Sequence, residues 1–265
     1  MSKIGFIGMG NMGYAMLKGA LSVFKPEELV FTDVNEARCK SVSEETGVEF
    51  FESNAECANK IKYLILAVKP QYYDQVIKNI KYAVTQEQVI ISMAPGITIE
   101  ELTIKLGADK RIMRLMPNTP ALLGVGMTGI TYNTALFSEL EKETINKLLT
   151  SFSKVEFVEE RLMSAVTCAS GSSPAYVYMF IEALADSVVK YGLPRDKAYE
   201  FVAQTVKGAA EMVLETKEHP GKLKDQVCSP GGTTIAGVAA LEEYGFRNAI
   251  MKATDACYAK AENIK

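Results

Sequence analysis

The residues best suited to chemistry near the N-terminus are Gly8, Met9, Gly10, Asn11, Met12 and Gly13. They follow a short β-rich run and lead into a helical stretch beginning near Asn11. Glycines at this spacing, between strand and helix, suit the pyrophosphate of a dinucleotide. The first two permit a tight turn and close approach of the backbone, the third lets helix and strand pack, and the helix N-terminus faces the phosphates. A glycine-rich turn with no ligand is the competing reading. Twenty residues past Gly13 stands Asp33. A carboxylate there accepts hydrogen bonds from a ribose 2′-hydroxyl and repels a 2′-phosphate, favouring NAD over NADP. Arg38 and Lys40 follow closely and weaken that preference, and Asp33 serves equally well as a cap for the next helix.

Further along, Ala67, Val68, Lys69 and Pro70, and then Met93, Ala94, Pro95 and Gly96, end two strand-like runs. That edge is where open α/β sheets bind ligands. Pro117 and Asn118 lie in a segment bracketed by prolines, rigid enough to position a cofactor ring or simply a stiff loop. Gly232, Thr233 and Thr234 precede a helical run over Ala236–Glu243 and offer backbone N–H groups and hydroxyls to a carboxylate. A threonine N-cap would leave the same pattern. Gly171-Ser172-Ser173-Pro174 is a second loop-to-helix junction of this kind. His219 is the single histidine, so a site needing two is excluded and a Ser-His-Asp triad would have to recruit that residue.

These residues need a scaffold, and the patterning supplies one. Lys3–Ile7, Glu28–Thr32, Lys62–Val68, Gln88–Met93 and Arg111–Met116 read as strands, with helical stretches between them such as Asn35–Thr46, Gln71–Tyr82 and Thr98–Leu106. Strands alternating with helices imply βαβ units and a parallel sheet covered on both faces. Thr128–Tyr132 and Val155–Val158 read as two further strands around a charged helix, Ser138–Ser153. Beyond Glu159 the pattern is helical: Leu162–Thr167, Pro174–Lys190, Arg195–Thr216 and Phe246–Ile264, with Pro174 and Pro194 in first turns. The expected organisation is a dinucleotide-binding domain over 1–158 and an all-helical domain over 159–265. Ala175–Val189 is apolar on nearly all sides and so demands burial all round, which points to subunit association or to the centre of a monomeric bundle.

At 265 residues, 48% hydrophobic and 23% charged, the chain can bury a sizeable core as one large or two modest domains. A net charge of −3 gives no footprint for nucleic acid or an anionic membrane. No apolar run reaches the roughly 20 residues of a membrane span. Five cysteines without a Cys-x-x-Cys pair read as reduced thiols of a cytoplasmic protein, with no metal site. Glycines 8, 10 and 13 argue against a secretory leader.

Taken together, Gly5–Met16, Ala67–Pro70, Met116–Ala121, Gly171–Tyr176, Glu218–Gly221 and above all Cys228–Ile235 closely resemble the pyrroline-5-carboxylate reductase family along essentially the whole chain. The resemblance implies a Rossmann-like N-terminal domain and a helical C-terminal domain that interlocks with a second subunit, in dimers that commonly assemble into decamers. It also implies NAD(P)H-dependent reduction of the C=N bond of 1-pyrroline-5-carboxylate to L-proline. Cofactor contacts then fall on Gly8–Gly13, Asn54, Ala67–Pro70 and Met93–Pro95, with the nicotinamide near Pro117 and Asn118. Substrate contacts fall on Gly232, Thr233 and Thr234, with Val227 lining the pocket and Glu160 at the domain junction. The Thr234 hydroxyl then meets the ring nitrogen as the catalytic contact. Pro95 departs from the family's usual alanine, and Asp33 from the small polar residue common at its position. A β-hydroxyacid dehydrogenase shares the layout but needs a lysine soon after a glycine-rich helix start, and the next lysine after Gly171–Pro174 is Lys190. A related imine reductase would also fit these residues. A non-catalytic dinucleotide sensor would keep the glycine turn but has no need of a carboxylate-binding helix start.

Overall fold

The computed structural model describes residues 4–263. The first half alternates strand and helix: β1 (Ile4–Ile7), α1 (Asn11–Ala20), β2 (Leu29–Thr32), α2 (Glu36–Thr46), β3 (Glu49–Phe50), α3 (Asn54–Asn59), β4 (Tyr63–Leu66), α4 (Tyr73–Ile80), β5 (Val89–Ser92), α5 (Ile99–Leu106) and β6 (Arg111–Met116). Then come β7 (Gly126–Tyr132), α6 (Glu139–Thr150) and β8 (Ser153–Phe157). All eight strands form one sheet in the order β3-β2-β1-β4-β5-β6-β7-β8. The sheet is parallel except where β7 runs against β6. After β3 the chain returns across β1 to form β4, so the strand order reverses between β1 and β4 and opens a crevice at their carboxyl ends.

Alternation along the strands sorts the core into two layers. Ile4 and Phe6 of β1, Tyr63 and Ile65 of β4, and Val89 and Ile91 of β5 pack under α1, α2 and α6. Ile7, Leu64, Leu66 and Ile90 pack on the other face under α3, α4 and α5. Asn35 and Ser53 cap α2 and α3, and Thr98 with Glu101 and Ser138 with Glu141 form capping boxes on α5 and α6. β3 and α3, at two and six residues, are too short to announce themselves by periodicity.

The second half is helical, with no strand among the described residues: α7 (Met163–Val166), a π turn at Thr167–Ser172, α8 (Ser173–Val189), α9 (Arg195–Thr216), α10 (Pro220–Val227), α11 (Thr233–Glu243) and α12 (Phe246–Glu262). Gly171–Pro174 is therefore no loop: α7 passes through the π turn directly into α8. The helix expected over Pro174–Lys190 is present as α8, with Pro174 in its first turn, and the loop expected before it is corrected to a π turn. Pro174 has no N–H to give the Ser170 carbonyl, and its ring crowds the preceding turn, so the helix widens instead of ending. α11 begins at Thr233, three residues before the expected start.

The chain forms two compact units, one running to Ser172 and taking in the chain from Cys257 on, the other Ser173–Ala256. In the helical unit the buried apolar residues are Ala185, Ala198 and Val202. Tyr178, Met179, Phe201, Met212, Leu214, Leu241 and Met251 are exposed, and the apolar α8 buries only Ala185. Among the described residues no helix is long and apolar enough to cross a membrane.

One buried charge braces the sheet unit. Glu141, 7% exposed, accepts bonds from Arg111 at 2.7 Å, Lys62 at 2.9 Å, and the Ser138 N–H and hydroxyl at 2.9 and 3.0 Å. Burial by itself raises this carboxyl, but the donors outweigh it and hold the group at about 2. A carboxyl depressed in the folded state stabilises above its unfolded value and stops doing so as pH falls through the folded one. Glu141→Gln is expected to cost about 1.5–3 kcal/mol at pH 7. That difference narrows as pH drops from about 4.3 toward 2, as denaturant melts at pH 7, 4 and 3 will show.

Candidate active site

The glycine turn sits where β1 meets β4. Gly8 has φ +100°, and a Cβ there would stand 2.8 Å from the Ala67 carbonyl oxygen and from Val68 Cγ1. A Cβ on Gly13 would run into the Gly8 carbonyl. Gly10 differs: its φ of −69° suits any residue, and a Cβ there meets nothing within 4 Å. Gly10 is also the N-cap of α1, with no side-chain cap and no acidic residue in the first turn. The N–H groups of α1 thus face an open cradle that a single methyl would enter, which is the shape and polarity a pyrophosphate requires. The residues present fit a dinucleotide.

Two cavities flank the turn. One, of about 350 Å³, is lined by Gly8, Asp33, Asn54 and Val68, together with Val34, Tyr72 and Val76. The other, of about 420 Å³, takes in Gly10, Asn11, Met12, all of Ala67–Pro70, Met93, Pro95 and Pro117. It also takes in Thr167, Gly171 and Ser172 of the π turn. Most expected cofactor residues are therefore brought to one crevice. Met9 and Ala94 differ, being buried in the core and lining neither cavity. The apolar wall of Val34, Tyr72 and Val76 escaped sequence reasoning. Its only signals were a valine past the strand end and the apolar face of α4.

At the end of β2, Asp33 is tied to the turn itself. Its Oδ2 accepts the Met9 N–H at 2.6 Å and its Oδ1 the Asn35 N–H at 2.9 Å. The cap of α2 is Asn35, whose Oδ1 accepts the Arg38 N–H at 3.0 Å, so the capping role considered for Asp33 belongs to its neighbour. Arg38 reaches the turn: its Nε donates to the Met9 carbonyl at 3.1 Å, and its guanidinium lies 4.5 Å from the Tyr14 ring centroid. Tyr14 in turn donates to Glu45 at 2.6 Å. Lys40 instead pairs with Glu36.

Asn118, 8% exposed, spends its side chain on scaffolding. Its Oδ1 accepts the Met127 N–H at 2.8 Å, and its Nδ2 donates at 3.1 Å to the Ser170 carbonyl left open by Pro174. It therefore holds the π turn, and with it Thr167, Gly171 and Ser172, at the cavity wall, while Pro117 is the residue that lines it. Glu160 is likewise committed, accepting the Ile99 N–H and the buried Arg114 guanidinium, both at 2.7 Å.

In the helical unit, α11 starts at an uncapped Gly232, with Thr233 and Thr234 inside its first turn. Neither threonine is the N-cap, so that explanation of the motif falls away. Gly231 turns the chain with φ +69°, and a Cβ on Gly232 would lie 2.5 Å from Ser229 Oγ. Free N–H groups and two hydroxyls at a helix start suit an anion. Val227, at the end of α10, is exposed.

Comparisons with known proteins accord with this geometry. Residues 160–264 match the family model described as pyrroline-5-carboxylate reductase dimerisation, and residues 3–96 match one described as NADP oxidoreductase coenzyme F420-dependent. Pyrroline-5-carboxylate reductase of Escherichia coli (strain K12) is 43% identical, over 99% of this chain and 98% of that protein. The crystal structure of Plasmodium falciparum pyrroline carboxylate reductase with NADP bound superimposes with a TM-score of 0.89 at 34% identity, covering 98% of this chain and 97% of that one. The 1-pyrroline-5-carboxylate reductase of Streptococcus pyogenes does so with a TM-score of 0.89 at 37% identity, covering 99% and 98%. This chain belongs to the pyrroline-5-carboxylate reductase family.

Proposed function

We propose that the protein reduces the C=N bond of 1-pyrroline-5-carboxylate to give L-proline, using NADPH or NADH. The observation that carries this reading is the pair of uncapped helix starts, Gly10 on α1 and Gly232 on α11: one suits a pyrophosphate, the other a carboxylate. The reduced nicotinamide supplies the hydride when bound. Everything else asked of the chain is orientation and electrostatics, because a protonated cyclic imine is already electrophilic. Gly8–Gly13 hold the pyrophosphate, Asp33 and Arg38 face the adenosine ribose, and Asn54 lies beside them. Ala67–Pro70, Met93–Pro95 and Pro117 wall the nicotinamide half, with Asn118 bracing that wall. Backbone N–H groups at Gly232–Thr234 hold the substrate carboxylate, the Thr234 hydroxyl hydrogen-bonds to the ring nitrogen and Val227 lines the pocket, while Glu160 serves the site only through the Ile99 N–H and Arg114 guanidinium that it holds.

In this reading residues 1–158 serve the dinucleotide, and 159–265 serve the substrate and subunit association. The exposed apolar faces of α8, α9 and α12 are covered by a second copy, and such dimers assemble further, into decamers. The partners are then the imine acid and other copies of the chain, with no nucleic acid or membrane, in the cytoplasm.

Steady-state turnover with 1-pyrroline-5-carboxylate and each cofactor tests the activity; cofactor binding without turnover would leave only a sensor. Both cofactors are expected to work, with NADH comparatively well used because Asp33 penalises a 2′-phosphate. Asp33→Ser should shift the kcat/KM ratio toward NADPH, and a wild-type preference of about a hundredfold or more for NADPH, near 2.7 kcal/mol, would sink that argument. Gly10→Ala should leave the melting temperature nearly unchanged yet weaken NADPH binding at least about tenfold, whereas Gly8→Ala should destabilise the fold itself. Calorimetric melting alongside cofactor titration separates the two. Thr234→Val removes one hydrogen bond while keeping the side chain's shape. A loss of about 1–3 kcal/mol, roughly tenfold to a hundredfold or more, is expected in kcat/KM for the imine, with NADPH affinity near wild type. Thr233→Val should do much less. Full activity in both variants would remove Thr234 from the mechanism.

A further inference from the structure

We infer that Tyr73 is a positioning residue for the nicotinamide half of the cofactor site: its phenol ties the end of β4 to the end of β5 and so sets the spacing of the loops Ala67–Pro70 and Met93–Pro95. The inference rests on the cofactor reading above. β4 and β5 are held by their backbone ladder as far as the Leu66–Ser92 pair, and there the ladder stops. The two loops that follow wall the larger cavity.

Tyr73 bridges the strands at that point. It begins α4, three residues after Pro70, and its ring turns back into the core at 1% exposure. The hydroxyl donates to the Leu66 carbonyl at 2.9 Å, lies 3.1 Å from Ser92 Oγ, and accepts the Met93 N–H at 3.3 Å. Leu66 and Ser92 each immediately precede one of the loops that the cofactor would touch, and Met93 opens the second. Burial pushes this phenol up to about 12, so it remains a protonated donor across the working range. The residue after Leu66 is Ala67, whose carbonyl fixes the closest approach of Gly8, so movement of the β4 end would also be felt by the glycine turn.

The test uses Tyr73→Phe in the full-length protein. It compares the Kd of NADPH with that of adenosine 2′,5′-bisphosphate, which occupies only the adenosine side. NADPH is expected to bind about fivefold to twentyfold more weakly, and the fragment within about twofold of wild type. Ser92→Ala should repeat the selectivity at about twofold to fivefold. Tyr63→Phe is the structural control: Tyr63 opens the same strand at its far end and bonds to Thr144, so it should lower the melting temperature and leave NADPH affinity intact. Wild-type NADPH affinity in Tyr73→Phe would overturn the inference, as would an equal loss for NADPH and the fragment, which would mean general loosening. Failure of the wild-type protein to bind NADPH would overturn the cofactor reading itself, and this inference with it.

Discussion

The contact on which the site depends is the approach of Gly8 to the Ala67 carbonyl across the β1–β4 seam. Parallel pairing of β1 with β4 brings the two strand ends side by side, and only a residue without a side chain can turn there. With that turn in place, α1 leaves the sheet close enough for Gly13 to pack on Gly8, and its N-terminus opens onto the crevice. The Met9 N–H then reaches Asp33, so the end of β2 is registered against the same turn by a charge-assisted bond. Three strand ends are fixed by one steric allowance.

The two units divide the physical work unevenly. The sheet unit buries continuous apolar layers on both faces, and close packing of that kind resists deformation. The helical unit keeps a core of a few small side chains and leaves large ones outside. Precision in this protein is thus a property of strand ends and helix starts. The chemistry suits that arrangement: an imine that arrives protonated needs alignment with a hydride donor more than it needs a strong side-chain acid.

Much of this was legible in the sequence, because the informative features are local. A glycine turn between strand and helix, the residues just past Leu66 and Ser92, and glycines before Thr233 carry their meaning in neighbouring residues. What could not be read depends on tertiary partners. Asn118 looked like a cofactor contact because nothing in the chain announces that its amide is claimed by Met127 and Ser170. Pro174 read as a helix start since a proline is welcome there, and a widened turn leaves the same residue pattern. Asp33 and Asn35 are both good caps, and the choice between them was made by the Met9 N–H. The antiparallel β7 is equally silent, since the direction of a strand is set by the loop that returns it.

The π turn makes the cavity wall depend on an atom that is missing. With an N–H at position 174, a regular helix would draw the Ser170 carbonyl into its own ladder and away from the Asn118 amide. Because position 174 lacks a donor, that carbonyl is available, and an extra residue is accommodated without a break in the helix. Restoring regular geometry there would advance the following residues by about 1.5 Å and rotate them by roughly 100°. The shape of the pocket is thereby coupled to the phase of the π turn that carries Thr167, Gly171 and Ser172.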